Sequence, residues 1–483
     1  MPLAVLIAYL PMILVAATAI AVMLGIAWRR EHAVTVAVSV LGLGLALIAQ
    51  ALAWRVIPVH TPLLDFDGLA LMAGLLILAS TLACAILAHA YLESFRGARE
   101  EFYVLLLCAA IGGLVLAASR HLASLFIGLE LLSMPLYGML AYAFHEQRSL
   151  EAGIKYLILS AAASAFLLFG MALLYAQTGE LRLDVLMASL DQNAGIWGLA
   201  GVGMILVGLG FKLSLVPFHL WTPDVYEGGP GPATTFLATV SKVALFALLL
   251  RLMLSMPVAQ GDWLRAVLAG LALASMLVGN LLALTQSNLK RILGYSSIAH
   301  FGYLLIVLVV ADGLAAETGG VYLITYVLST LAAFGVVILI SSTAGGEDAA
   351  ALHYYRGLFW RRPYLTAVLT VAMLSLAGIP ATVGFIGKFY LIALGVEAQR
   401  WWLVGGIILG SAIGLYYYLR VIITLFLAEP GMQRRDASDD WGGRAGGLLV
   451  LGVAGLVILL GLYPTPMIEL AQTLGGIMGP KGS

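Results

Sequence analysis

Apolar runs of roughly twenty residues, separated by short stretches that hold the charges and turns, recur along all 483 residues. Each run is about long enough to cross a bilayer as a helix. Cutting at the charged and turn-rich breaks gives fourteen spans, near 3–27, 33–54, 69–92, 102–119, 122–144, 152–176, 197–217, 231–254, 263–284, 289–310, 319–342, 364–394, 401–427 and 446–469. The pattern predicts an all-α polytopic membrane protein. The first run has no basic residue before it and is long enough to span, so it reads as a retained helix and not a cleaved signal.

Composition agrees: 62% of residues are hydrophobic, 10% are charged, and the mean hydropathy of +1.02 is incompatible with a soluble surface. The formal net charge of zero leaves no basic patch for a nucleic-acid backbone. Cys84 and Cys108 stand singly in apolar runs and read as packing residues, with no disulfide, zinc or iron–sulfur spacing. Glycine runs such as Gly208-Leu209-Gly210 fit close helix packing and not a dinucleotide loop. The sequence carries no metal, haem, flavin or nucleotide signature.

Loop charge orients the spans. The odd-numbered loops hold fourteen Lys and Arg, counting Lys155 with the fifth; the even-numbered loops and the tails hold seven: Arg55, Arg120, Arg182, Arg251, Arg265, Arg400 and Lys481. The positive-inside rule then puts the odd loops in the cytoplasm and both termini outside, which in a bacterial inner membrane is the periplasm. Four basic residues remain inside spans: Lys212, Lys242, Lys388 and Arg420. An ammonium in hydrocarbon costs several kcal/mol unless it faces a cavity, finds a partner or releases its proton. The three lysines therefore read as proton carriers. Arg420 almost never loses its proton and reads as a structural or subunit-contact residue.

These residues recur in register. Laying spans four to eight against spans nine to thirteen places Glu130, Lys212 and Lys242 opposite His300, Lys388 and Arg420, in the second, fourth and fifth helix of each set. Five is odd, so the two sets run in opposite senses, the arrangement of an inverted-repeat transporter. The expected division is 1–100 for three leading helices, 101–255 and 260–428 for the two repeats, and 429–483 for the last loop and helix. Span seven runs into Val216-Pro217 and span twelve contains Gly378-Ile379-Pro380, so both helices should break at depth. Such backbone survives in a bilayer only where it is buried in protein or lines a wet cavity.

Glu130 is the one carboxylate found mid-span, and Lys212 is its natural partner; the pair reads as a proton gate, against the alternative of a static ion pair locking two helices. His300 lies beside Ser296 and Ser297 and reads as a relay, against hydrogen-bonded packing. Lys155 and Glu151, four residues apart, predict an interfacial pair. His219, Asp224 and Glu227 sit at a cytoplasmic helix end, either as a proton inlet or as a solvated turn.

The residues Glu130-Leu131-Leu132-Ser133-Met134-Pro135, Gly210-Phe211-Lys212-Leu213-Ser214 through Pro223-Asp224-Val225-Tyr226-Glu227-Gly228, Asn288-Leu289-Lys290-Arg291 through His300, and Gly378-Ile379-Pro380 through Gly387-Lys388 resemble a family. It is the antiporter-like, proton-translocating subunits of NADH-quinone oxidoreductase, respiratory complex I. The resemblance implies that Glu130 and Lys212 are the family's Glu–Lys pair, Lys242 its central lysine and Lys388 its exit-side lysine. A lysine at that last place marks one branch of the family, where a sister branch typically carries glutamate. The resemblance also implies that NADH, FMN, iron–sulfur clusters and quinone belong to other subunits, with no cofactor in this chain. Implied partners are other membrane-arm subunits, including a sister antiporter-like subunit and a small membrane subunit. Competing readings are a multisubunit cation/proton antiporter subunit, a membrane-bound hydrogenase subunit, or a non-pumping scaffold.

Overall fold

The computed structural model describes residues 3–93, 97–192, 195–255, 262–311, 314–341, 348–427 and 441–477. Lys481, counted with the outer tail, lies outside them. In hydrocarbon every backbone N–H and C=O needs a partner within the protein, and a continuous helix supplies one. The apolar runs accordingly form α1 (Leu3–Trp28), α2 (His32–Ala53), α3 (Gly68–Glu93), α4 (Glu101–Ala117), α5 (Leu122–Leu140) and α6 (Gln147–Thr178). After a short α7 (Leu183–Gln192) come α8 (Ile196–Leu213), α9 (Trp221–Gly228), and α10 (Gly231–Phe236) joined through a π-helical turn, Leu237–Ser241, to α11 (Lys242–Ser255). Next are α12 (Asp262–Leu284), α13 (Leu289–Val310), α14 (Ala315–Ser341), a one-turn α15 (Leu358–Arg361), α16 (Pro363–Ala377), α17 (Val383–Glu397) and α18 (Trp401–Phe426). The described chain ends in α19 (Ala445–Leu462) and α20 (Thr465–Ile477).

Among the described residues twelve helical stretches are long and apolar enough to cross a membrane, counting Gly231–Ser255 as one; the apolar helices α4 and α16 are shorter. Both expected interruptions are present. Span seven stops at Leu213 and resumes as α9, and span twelve divides into α16 and α17. One boundary is corrected: the last span does not run to 469 but ends at Leu462, where Pro464 separates it from α20. Proline has no amide N–H to continue the ladder, and α20 turns back to pack against α14 and α3.

Burial ranks the helices. The apolar window of α13 is 100% buried and those of Gly231–Ser255 and α14 are each 94% buried, whereas α1 and α2 reach only 33%. The helices that carry Lys242 and His300 are thus the axis of the molecule, and α1 and α2 are its edge. Close approach of backbones tightens two pairs. A Cβ on Gly112 of α4 would lie 2.2 Å from Leu132 N of α5, and one on Gly302 of α13 would lie 2.7 Å from Met276 N of α12. Small residues replace side-chain interdigitation where lipid gives helices no hydrophobic reason to associate.

At one end of the bundle, Arg251 closes the α11 end with a two-pronged contact to Asp67, at 2.6 and 2.9 Å. Burial would raise the Asp67 carboxyl, but the guanidinium prevails and holds it below the usual carboxylate range. The tightest contact of all lies at the second break, where a Cβ on Gly384 would come 1.7 Å from the Ser375 carbonyl oxygen. Gly384→Ala must push α16 and α17 apart, at about 1–3 kcal/mol or more. The expected result is several-fold less assembled protein in the membrane, measured by native electrophoresis after detergent extraction; wild-type abundance would show that the break tolerates widening.

Candidate functional site: buried lysines at two broken helices

The first break follows from local chemistry. Pro217 disfavours a helical residue before it and offers no N–H, so α8 cannot run through Val216. It stops at Leu213, and Ser214 adopts the left-handed conformation at φ 64°. Several groups meet the carbonyls orphaned by the stop. Leu215 N donates to Gly210 O at 2.8 Å, Trp221 Nε1 to Phe211 O at 3.0 Å, and Lys242 Nζ to Lys212 O at 3.3 Å. The same ammonium donates to Ser214 Oγ at 2.5 Å. Lys242 is fully buried and lies over the rings of Trp221 and Phe301, 5.6 and 5.3 Å from their centroids. It directly follows the π turn, whose extra residue rotates the rest of the helix by about 100° relative to an unbroken one.

The second break repeats this chemistry with other residues. Gly378 takes φ 83°, its N–H returns to Leu374 O and Ser375 O, and α17 begins with Gly384 N donating to Ser375 Oγ at 3.1 Å. Lys388 Nζ donates to Ala377 O, the last residue of α16, at 2.8 Å, and lies 5.5 Å from the Tyr303 ring centroid. Each broken helix therefore ends on a lysine ammonium, where the helix dipole and unpaired carbonyls favour a cation. Lys242 and Lys388 share this role, although they were not matched by position along the sequence.

Lys212 and Glu130 are not in contact. Lys212, 2% exposed, donates to Ser133 Oγ and Ser160 Oγ, both at 2.6 Å, while Glu130 Oε1 accepts from Ser164 Oγ at 2.6 Å. Ser160 and Ser164 are one turn apart on α6, so one helix face holds the two members separately. Tyr137 extends the lysine side through Ser160, at 2.7 Å. Glu130 also lines an open, apolar groove of about 580 Å³ between α5 and α6. A static lock between Glu130 and Lys212 is not what the structure contains.

Between Lys242 and Lys388 stands α13. His300 Nδ1 meets Tyr322 OH at 2.7 Å and Nε2 meets Tyr418 OH at 3.2 Å, and Tyr418 OH reaches Ser296 at 2.5 Å. Asn280 on α12 donates to Tyr303 OH at 2.9 Å and accepts from Tyr417 OH at 3.0 Å. Phe301 under Lys242 and Tyr303 under Lys388 lie within one turn after His300, so all three interior stations after Lys212 converge on one turn of α13. Sequence reasoning missed Ser133, Ser160, Ser164, Ser214, Asn280, Tyr303 and Tyr322. Only the spacing of Ser133 from Glu130, three residues on a helix, offered a signal.

Other expectations sort cleanly. Lys155 pairs with Glu151 at 2.6 Å and also with Asp224 at 2.8 Å. Arg420 donates to the Leu284 and Gln286 carbonyls, capping α12. Asp224 and Glu227 pair with Arg291 at 2.8 and 2.9 Å, and with Arg148 and Lys155 they line a cavity of about 170 Å³. His219 is buried at the start of the segment that follows the break. Cys84 is packed in the core. Lys290 is a correction: counted among the loop charges, it is fully buried and pairs with Asp348 at 2.5 Å. Its partner sits 58 residues away, which no local pattern could reveal. Among the described residues no group of three or more His, Cys, Asp or Glu could hold a metal ion.

Broken helices with buried, capping lysines in a polytopic helical bundle define an antiporter-like membrane protein. The chain belongs to the family described as NADH:quinone oxidoreductase/Mrp antiporter, TM, which matches residues 119–414. It is 69% identical to the NADH-quinone oxidoreductase subunit N of Chromohalobacter salexigens, over 96% of this chain and 98% of that one. Identity to the protein of the same name from Ectopseudomonas mendocina is 61%, covering 97% and 96%. A chain of the respiratory complex I of Thermus thermophilus, solved with bound aureothin, superposes with a TM-score of 0.82 at 36% identity, covering 95% of this chain and 98% of that one.

Proposed function

We propose that this chain is the N-type membrane subunit of a proton-pumping NADH:quinone oxidoreductase, moving protons from cytoplasm to periplasm while quinone reduction in other subunits drives it. The path runs through Glu130, Lys212, Lys242, His300 and Lys388. The observation that carries it is the bonding of the three lysines. Each is buried, donates only to hydroxyls or backbone carbonyls, and has no carboxylate within 4 Å among the described residues. A permanently charged group so placed would cost several kcal/mol. A lysine that alternately takes and releases a proton does not carry that cost throughout its cycle.

A proton from the cytoplasm reaches Lys212 or Lys242, crosses the hydroxyl-rich turn around His300, and leaves past Lys388. Moving one charge against 100 mV requires about 2.3 kcal/mol. The relatives named subunit N support assembly with other membrane-arm subunits, including a sister antiporter-like subunit and a small membrane subunit. NADH, FMN, iron–sulfur clusters and quinone lie elsewhere in that assembly. The loop charges support an inner-membrane placement with both termini periplasmic, and the paired breaks, each ending on a lysine, support two inverted repeats at 101–255 and 260–428.

Lys212→Met tests the reading. It keeps the length of the side chain and removes the proton site, so NADH-driven pumping and electron transfer should both fall about tenfold or more in membranes with normal amounts of assembled complex. Loss of assembly instead would assign Lys212 to structure.

A further inference from the structure

Resting on this reading, we propose a second proton inlet that runs along one face of α13 to His300, loaded at the buried Lys290–Asp348–Tyr91 triad and passed inward by Tyr226. The triad is a proton-exchange site of a kind the lysine path does not use. Asp348 Oδ2 accepts from Lys290 Nζ at 2.5 Å, and its Oδ1 accepts from Tyr91 OH at 2.8 Å. Lys290 Nζ also donates to Gly229 O at 2.6 Å. The carboxylate is nearly buried, 7% exposed. It nevertheless lines a polar cavity of about 410 Å³ together with Glu227, Asn288, Arg291 and His353, on the side that the loop charges make cytoplasmic. Water in such a cavity delivers protons to a carboxylate whose neighbours already include an ammonium and a phenol.

The helix carries the rest of the path. Positions 290, 294 and 297 share one face of α13, spaced by four and three residues. Lys290 opens it. Over Gly294 lies the Tyr226 ring: a Cβ there would meet Tyr226 Cδ2 at 3.4 Å. Ser297 follows, with Tyr326 OH at 2.8 Å, and the Tyr326 ring stands 5.6 Å from that of His300. From Lys290 to His300 is about 15 Å along the axis.

Tyr226 is the decisive member. It is fully buried, and its hydroxyl lies beside that of Ser297, which in turn meets Tyr326 OH at 2.8 Å. A clamp made of Lys290, Asp348 and Tyr91 would explain why those three are paired. It does not explain a buried phenol placed between them and the His300 turn, in line with Ser297 and Tyr326. A hydroxyl is both donor and acceptor, so it can take a proton on one side and give one up on the other.

The test uses membranes with the assembled complex, measuring NADH-driven electron transfer, proton pumping, and the change of rate in deuterated water. Tyr226→Phe removes the hydroxyl and keeps the ring over Gly294. It should lower both rates at least threefold per assembled complex and raise the solvent isotope effect. Asp348→Asn should act in the same direction, with Asp348→Glu restoring most of the rate. Wild-type rates and isotope effect in Tyr226→Phe, or rates that fall only as the amount of complex falls, overturn the inlet. Lys242→Ala in the same background separates the two ideas. If it stops turnover while Tyr226→Phe is silent, only the inlet is lost; if both are silent, the lysine path falls too.

Discussion

Lys242→Ala is expected to abolish proton pumping and to lower NADH-quinone electron transfer about tenfold or more, in membranes that contain the assembled complex. The size follows from position. Lys242 is itself fully buried, on a stretch whose apolar window is 94% buried, and its ammonium is the contact between the two halves of the path: it holds the Lys212 carbonyl and Ser214 on one side and lies over Phe301, beside His300, on the other. Tenfold corresponds to about 1.4 kcal/mol of barrier, which is less than one lost proton station should add. Lys242→Arg separates two roles that Lys242 combines. Arginine keeps the cation over the broken helix end but does not release a proton. If the residue is only a cap, Arg restores turnover; if it is a carrier, Arg leaves the complex assembled and idle. Unchanged turnover in the alanine variant would remove Lys242 from the path altogether.

What the sequence made legible is what stands out against apolar runs. Lys212, Lys242, Lys388 and Glu130 are conspicuous because hydrocarbon penalises charge, and the two breaks are conspicuous because proline cannot continue a helix. The hydroxyls were not legible. Serine sits in transmembrane helices for packing as readily as for bonding, so nothing local distinguishes Ser160 and Ser164, which hold Lys212 and Glu130 apart, from any other serine. Lys290 was misplaced for the opposite reason. It lies at a helix start, where the positive-inside rule expects a loop charge, and its burial depends on Asp348 folding back from a distant loop. The capping role shared by Lys242 and Lys388 was hidden because one arrives from a neighbouring helix and the other from the continuation of its own. Spacing along the chain cannot show that both end on the last turn of a broken helix.

Glu130→Gln is expected to lower pumping and coupled electron transfer about tenfold with the fold intact. The amide oxygen can still accept from Ser164, so the local hydrogen bond survives. What disappears is the negative charge. Its reach can be bounded: the carboxylate and the Lys212 ammonium are more than 4 Å apart, and at 4 Å two unit charges interact by about 4 kcal/mol at an effective dielectric of 20. Opening or closing the gap therefore changes the proton's free energy on Lys212 by up to a few kcal/mol. That is the same order as the roughly 2.3 kcal/mol needed to move one charge against 100 mV. A pair held apart by two serines one turn apart is thus a lever of the right size, and a pair locked together would not be. Pumping in proteoliposomes decides it. If Glu130→Gln pumps normally, the field of Glu130 does no work on Lys212, and the driving step lies elsewhere in the path. If it fails while Glu130→Asp retains partial pumping, charge at this position, on the face that opens into the α5–α6 groove, is what sets the lysine's proton in motion.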